Sequence, residues 1–153
     1  MVSLAVLFFE GKGFYMRITA HSSTNVQVQI KSGRHELIAD EPLGIGDDAG
    51  PDPYSLLLSS LAACTIMTVR MFAKRKNWPL EDVQLSLSTH KVHAKDCEDC
   101  ESDPDARVDV IERQISFTGN LSQDQIERLT DIASKCPVHR TLTSETVIRT
   151  EVI

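Results

Sequence analysis

The chain has 153 residues, enough for one domain that buries roughly two-thirds of its unfolded surface. Its 22 acidic residues outnumber 16 basic ones for a formal net charge of −6, which excludes the clustered basic face that nucleic-acid binding requires. Four cysteines without a recognisable secretion signal point to a reducing compartment, the cytoplasm, where paired thiols are more often catalytic or metal-binding than structural.

In chain order, Val2 to Phe9 is an apolar run that no basic residue precedes and no small-residue cleavage pattern follows. It is too short to span a bilayer and reads as an extra strand, or as an extension ahead of a second start at Met16. Val26-Gln27-Val28-Gln29-Ile30 alternates with period two, Lys31-Ser32-Gly33 supplies a turn, and Arg34 to Ala39 resumes an extended run, which together predict a hairpin. Asp40 to Pro51 is a loop rich in glycine, proline and aspartate.

The next segment predicts a long helix from Pro53 to Lys76. Asp52 is a good N-cap, and proline suits the first helical position because its missing N–H has no partner there anyway. Lys74, Arg75 and Lys76 place cations on the negative end of the helix dipole, and Asn77-Trp78-Pro79 ends it. Between Leu56 and Ala73 the only charge is Arg70. The stretch reaches the length of a membrane span, but Ser59, Ser60, Thr65, Thr68 and Arg70 fit a buried core helix and no membrane partner. A helix apolar nearly all round must be covered on all sides. One small sheet does not suffice, so a partner chain is expected. Ser59, Ser60, Ala62 and Ala63 let another backbone come close beside Cys64.

Val83 to Ser88 alternates cleanly and continues towards Ala94 as a strand. Asp96 to Asp105 is an acidic loop, and Arg107 to Phe117 is a second strand. Its apolar set shifts phase from Val108 and Val110 to Ile111, Ile115 and Phe117, which predicts a bulge near Val110. After the Gly119-Asn120 turn, Ser122 and Gln125 form a capping box for a helix from Gln123 to about Ser134, with Ile126, Leu129, Ile132 and Ala133 as its apolar stripe. A last strand is expected over Thr146 to Val152. The order is β-β-α-β-β-α-β, an α+β layer fold.

Two cysteines carry the chemistry. Cys64 lies within the long helix, and Cys136 opens a short turn of helix at Cys136-Pro137. A thiolate that attacks an oxidant and a second thiol that resolves the sulfenic acid would make a redox pair; as small hydrophobes, both would simply be core. The helical neighbours of Cys64 at three and four residues' distance are Ser60, Leu61, Met67 and Thr68, none cationic. A reactive Cys64 therefore needs a cation from elsewhere, with Arg17, Arg34, His139 and Arg140 as candidates. A third constellation, His90, His93, Cys97 and Cys100, has zinc-ligand types. However, on a regular strand His90 and His93 fall on opposite faces, and the spacing is shorter than in zinc fingers. Cys97 and Cys100 with one histidine and an acidic residue, or a polar loop with no shared site, are the remaining readings.

Gly50-Pro51-Asp52-Pro53-Tyr54, the leucine-rich helix reaching Leu61-Ala62-Ala63-Cys64-Thr65, and Lys135-Cys136-Pro137-Val138-His139-Arg140-Thr141-Leu142 together resemble the OsmC/Ohr family of osmotically inducible and organic hydroperoxide resistance proteins. Ala39-Asp40-Glu41-Pro42 and Trp78-Pro79-Leu80 place the likeness nearest the OsmC-like branch. It runs from about Thr24 to Ile153, so residues 1–23 stand as an N-terminal extension or extra strand and 24–153 as a single OsmC-like domain. The resemblance implies an intertwined homodimer with central helices buried between two sheets. It also implies that Cys64 is the peroxidatic thiol and Cys136 the resolving one. An organic hydroperoxide would be reduced with no metal or organic cofactor, and an external dithiol would regenerate the protein. The family's peroxidases hold an arginine over the thiol with a glutamate near the start of the helix. Tyr54 and Ser55 stand there in this chain, and Arg17 and Arg34 are the nearest choices for the arginine. That missing acid, with Met67 and Met71 on an apolar helix, motivates a second expectation, a non-enzymatic dimer that binds a small apolar ligand.

Overall fold

In the computed structural model of the chain, residues 17–98 and 100–152 are described; the expectations for Val2 to Phe9 and Met16 lie outside them. The chain divides into two compact units, up to Pro53 and from Tyr54 onward.

The first unit is a three-stranded antiparallel meander, β1 (Ile18–Ser22), β2 (Val28–Ser32) and β3 (His35–Ala39). β2 and β3 are the expected hairpin, paired from Val28↔Ala39 to Ser32↔His35, and the two-residue turn uses Gly33 at φ +60°. β1 lies within residues 1–23, the stretch read from the sequence as an extension or an extra strand. Its residues Ile-Thr-Ala-His-Ser are all exposed, so it carries no hydrophobic alternation and is held through its ladder with β2.

The loop after β3 is organised by one side chain. Asp40 is buried and accepts hydrogen bonds from the backbone N–H groups of Glu41 (2.8 Å), Ala49 (3.1 Å) and Asp47 (3.2 Å). The Ala49 N–H contributes most to holding this carboxyl below the usual carboxylate range; burial opposes it, and the Glu41 and Asp47 N–H groups add to the lowering. Gly46 lies against the Asp40 carboxylate and the Glu41 backbone, where a Cβ would not fit.

The second unit is built on α1 (Pro53–Lys76). Its end is a Schellman motif: Asn77 takes the left-handed conformation at φ 53°, its N–H donates to the Lys74 carbonyl, and the Trp78 N–H donates to the Ala73 carbonyl at 3.0 Å. By length and composition alone α1 passes as a membrane span, yet one side of it is core. Val69, Phe72 and Ala73 pack with Val83, Leu129, Ile132 and Ala133. Trp78 meets Phe72 edge-on at 5.5 Å between ring centroids, and the Arg75 and Arg128 guanidinium groups lie over the same ring at 5.6 and 5.7 Å. The opposite stripe is bare: Leu57, Met67 and Met71 are 38, 63 and 72% exposed.

The sheet of this unit is the antiparallel pair β4 (Leu80–His93) and β5 (Arg107–Gly119), joined through a 3₁₀ turn, Ala94–Asp96. The bulge expected near Val110 is not there. The register is regular from Asp82↔Thr118 to His93↔Arg107, and the irregularity falls between Leu80 and Asp82. The phase change at Val110 arises because Val108 and Val110 are half-covered on one face and Ile111, Ile115 and Phe117 on the other. A strand sheltered on both faces mimics a slip in register.

α2 (Gln123–Ala133) carries the expected capping box, with Gln125 N–H donating to Ser122 Oγ and Ser122 N–H to Gln125 Oε1. α3 (Pro137–Leu142) follows. The strand expected over Thr146 to Val152 does not form. That segment pairs with no strand among the described residues, and Val147, Ile148 and Val152 are 66, 88 and 94% exposed. A strand needs an edge to bond. Leu129 is fully buried at the centre of the core, so Leu129→Ala is expected to cost about 2–5 kcal/mol. Urea denaturation checks this as a lower midpoint at unchanged slope.

Candidate thiol site

Cys64 is half-buried on α1 and Cys136 is fully buried; both are free thiols. Cys136 reaches its place because α2 stops at Ala133 and the chain turns straight into α3, with Cys136 as N-cap and Pro137 at the first helical position. Its Sγ accepts a hydrogen bond from the His139 N–H at 3.3 Å and shares another with Thr65 Oγ1 at 3.5 Å. Thr65 follows Cys64 on α1 and is fully buried, so the residue beside one thiol holds the other. The Val138 amide and the Cys136 thiol both act on the Cys64 thiol.

A residue missed by sequence reasoning fixes this junction. Arg113 of β5 donates from Nη1 to the Ala133 carbonyl at 3.0 Å and from Nη2 to Ser134 Oγ at 3.1 Å. It closes the end of α2 just before Cys136. Its only sequence signal was a cation at an inward position of a strand.

Burial pushes the Cys64 thiol above its ordinary value. The Val138 N–H pulls it down, the Cys136 thiol raises it further, and Thr68 lowers it slightly. A folded-state value above the unfolded one stabilises the fold fully below the unfolded pKa and loses that contribution as pH rises through the folded pKa. The thiolate is the nucleophile, so iodoacetamide labelling of Cys64 in the native protein is expected to rise with pH about a midpoint above that of free cysteine. Cys136→Ala removes one of the raising partners and is expected to bring that midpoint down, as pH-resolved mass spectrometry would show.

Among the described residues, none of the groups named as acting on Cys64 is a cation. Of the four candidates, Arg17 and Arg34 belong to the first unit. Arg140 is exposed on α3, and His139 contributes its backbone N–H to Cys136. His139 lines a cleft of about 360 Å³ together with Leu61, Asp109, Ile111, Arg113 and Leu142. A larger cavity of about 860 Å³ lies on the three-stranded sheet, lined by Thr19, His21, Ile30, Leu37, Ile38 and Pro51 among others, with no thiol in its wall.

The third constellation does not converge. His90 and His93 are both in β4, three residues apart and so on opposite faces, while Cys97 and Cys100 are joined to each other as a disulfide. Among the described residues, no group of three or more His, Cys, Asp or Glu side chains is arranged to hold a metal ion.

The pattern that defines the family described as OsmC-like protein matches residues 46–151, and the chain belongs to that family. Solved structures share the fold. A putative osmotic stress induced and detoxification response protein from Psychrobacter arcticus aligns with TM-score 0.66 at 18% identity, over 88% of this chain and 91% of its own. An OsmC-like protein from Mycoplasma pneumoniae gives 0.67 at 22%, over 84% and 87%. A Legionella pneumophila protein described as an organic hydroperoxide resistance protein gives 0.61 at 24%, over 86% and 91%. No curated protein matches the chain.

Proposed function

We propose that this protein is a cytoplasmic, cysteine-based reductase of organic hydroperoxides, with Cys64 as the attacking thiol and Cys136 as the resolving one. The observation that carries this reading is that the two free thiols, on α1 and at the start of α3, act on each other, with Thr65 Oγ1 and the His139 N–H at the Cys136 sulfur. The names of structurally similar proteins agree with it. The Cys64 thiolate attacks the hydroperoxide, an S–O bond forms as O–O breaks, and the departing alkoxide takes a proton to leave as the alcohol. The Cys136 thiol then attacks the Cys64 sulfenic acid, water leaves, and a disulfide forms. An external dithiol reduces that disulfide by exchange.

Burial holds Cys64 towards its neutral form, so a cation beside it would favour the reactive thiolate. The working assembly is a homodimer. The bare stripe of α1 and the unpaired segment 146–152 are faces that a second copy would cover. One equivalent of cumene hydroperoxide should convert the protein to a Cys64–Cys136 disulfide, identified by peptide mapping under non-reducing conditions. Peroxide consumption with both thiols still free would overturn the assignment.

The alternative reading, a dimer that holds a small apolar ligand without chemistry, is favoured by Tyr54 and Ser55 at the helix start, where no acid stands. A thermal shift with fatty-acyl ligands that persists in Cys64→Ser supports it, and turnover without any ligand response dismisses it.

A further inference from the structure

The acidic loop between β4 and β5 holds the second pair of cysteines, which the proposed peroxide cycle does not use. Cys97 and Cys100 are disulfide-bonded while Cys64 and Cys136 are free. The loop is scaffolded by its own backbone. Ala94 N–H donates to the Ala106 carbonyl at 2.9 Å, Lys95 N–H to Pro104 at 3.2 Å, Cys97 N–H to Ala94 at 3.2 Å and Ala106 N–H to Asp103 at 2.8 Å. None of these bonds uses a sulfur, so opening the disulfide leaves them in place and the two thiols stay close enough to close again. Both cysteines are half-exposed, within reach of an external thiolate. A bridge across three residues constrains the unfolded chain less than one closing a long loop, so structural stapling is a weak reason for it.

We infer that Cys97 and Cys100 form a second thiol–disulfide exchange site, chemically separate from Cys64 and Cys136, that takes neutral or positively charged dithiols and discriminates against anionic ones. The step balances as exchange. A thiolate of the dithiol attacks one sulfur, the Cys97–Cys100 bond breaks, and the freed thiolate takes a proton. The dithiol's second sulfur then attacks the mixed disulfide, leaving Cys97 and Cys100 as thiols and the dithiol as its disulfide. The discrimination comes from charge. Between positions 95 and 105 the chain carries six carboxylate residues and one lysine, and a single-sign field of this kind slows approach of like charge in a salt-dependent way.

The full-length Cys64→Ser/Cys136→Ser protein isolates the site. Under native conditions, a neutral dithiol followed by maleimide quenching is expected to add two labels, mapped to Cys97 and Cys100, with the circular dichroism spectrum unchanged. Compared per thiolate at low ionic strength, cationic cysteamine is expected to reduce the bridge at least about tenfold faster than anionic mercaptoethanesulfonate. The ratio should shrink in 0.5 M salt and in the Asp96→Asn/Glu98→Gln/Glu101→Gln variant. Three results would overturn the inference: reduction only on unfolding, equal rates for the two thiols, or one tightly held zinc per chain on the reduced cysteines. In the last case His93, whose buried Nδ1 has no partner among the described residues, would be the third ligand to test.

Discussion

Cys64→Ser is expected to abolish turnover of cumene hydroperoxide supported by a dithiol, lowering the rate by at least about a thousandfold, the scale seen when a catalytic nucleophile is removed. A hydroxyl on α1 lacks an accessible anionic form at neutral pH. Cys136→Ser should behave differently, completing one turnover per chain and then stalling at the sulfenic acid, because the resolving thiol acts only after O–O cleavage. Stopped-flow consumption traces separate the two phenotypes. Equal steady-state rates for wild type and Cys64→Ser would end the peroxidase reading while leaving the family assignment and fold untouched.

Met67→Glu is expected to convert a homodimer to monomers, raising the dissociation constant by a hundredfold or more. Met67 is 63% exposed in the single chain, so a carboxylate there is solvated in the monomer and leaves the core around Val69 and Leu129 intact. In the proposed assembly the same carboxylate becomes buried and unpaired, at several kcal/mol. Sedimentation velocity should show the change in mass, with monomer secondary structure retained. A monomeric wild type, or a Met67→Glu protein that remains dimeric, would refute the proposed interface.

What the sequence disclosed follows from where each signal resides. α1 and α2 were legible with their ends because caps are local: Pro53, the Lys74 to Lys76 run and Ser122 with Gln125 act within one turn of the chain they start or stop. The place of Cys136 at a helix start was legible for the same reason, through Pro137. An extra strand within residues 1–23 was one of two readings, and β1 could not be placed there because a strand exposed on both faces leaves no apolar alternation to read. The bulge was misplaced because cover on both faces of β5 imitates a register slip. The strand expected over residues 146–152 did not form, because pairing depends on an edge elsewhere. The Cys97–Cys100 bridge and the Arg113 closure of α2 were hidden because each rests on geometry between side chains or across elements.

The two thiols do not stand on equal footings. Cys64 rides on a 24-residue helix whose far half is locked in the core, whereas Cys136 caps a helix of six residues with no fully buried side chain. So short a helix depends on its caps and contacts. If joining the sulfurs in the proposed cycle moves the Cys136 Sγ off the His139 amide that it accepts from, oxidation removes the cap of α3 as the disulfide forms, after the alcohol has left. The long helix acts as anvil and the short one as hinge: the redox state of one sulfur becomes the folding state of six residues. Hydrogen exchange at the His139 amide should be faster in the oxidised protein than in the reduced one.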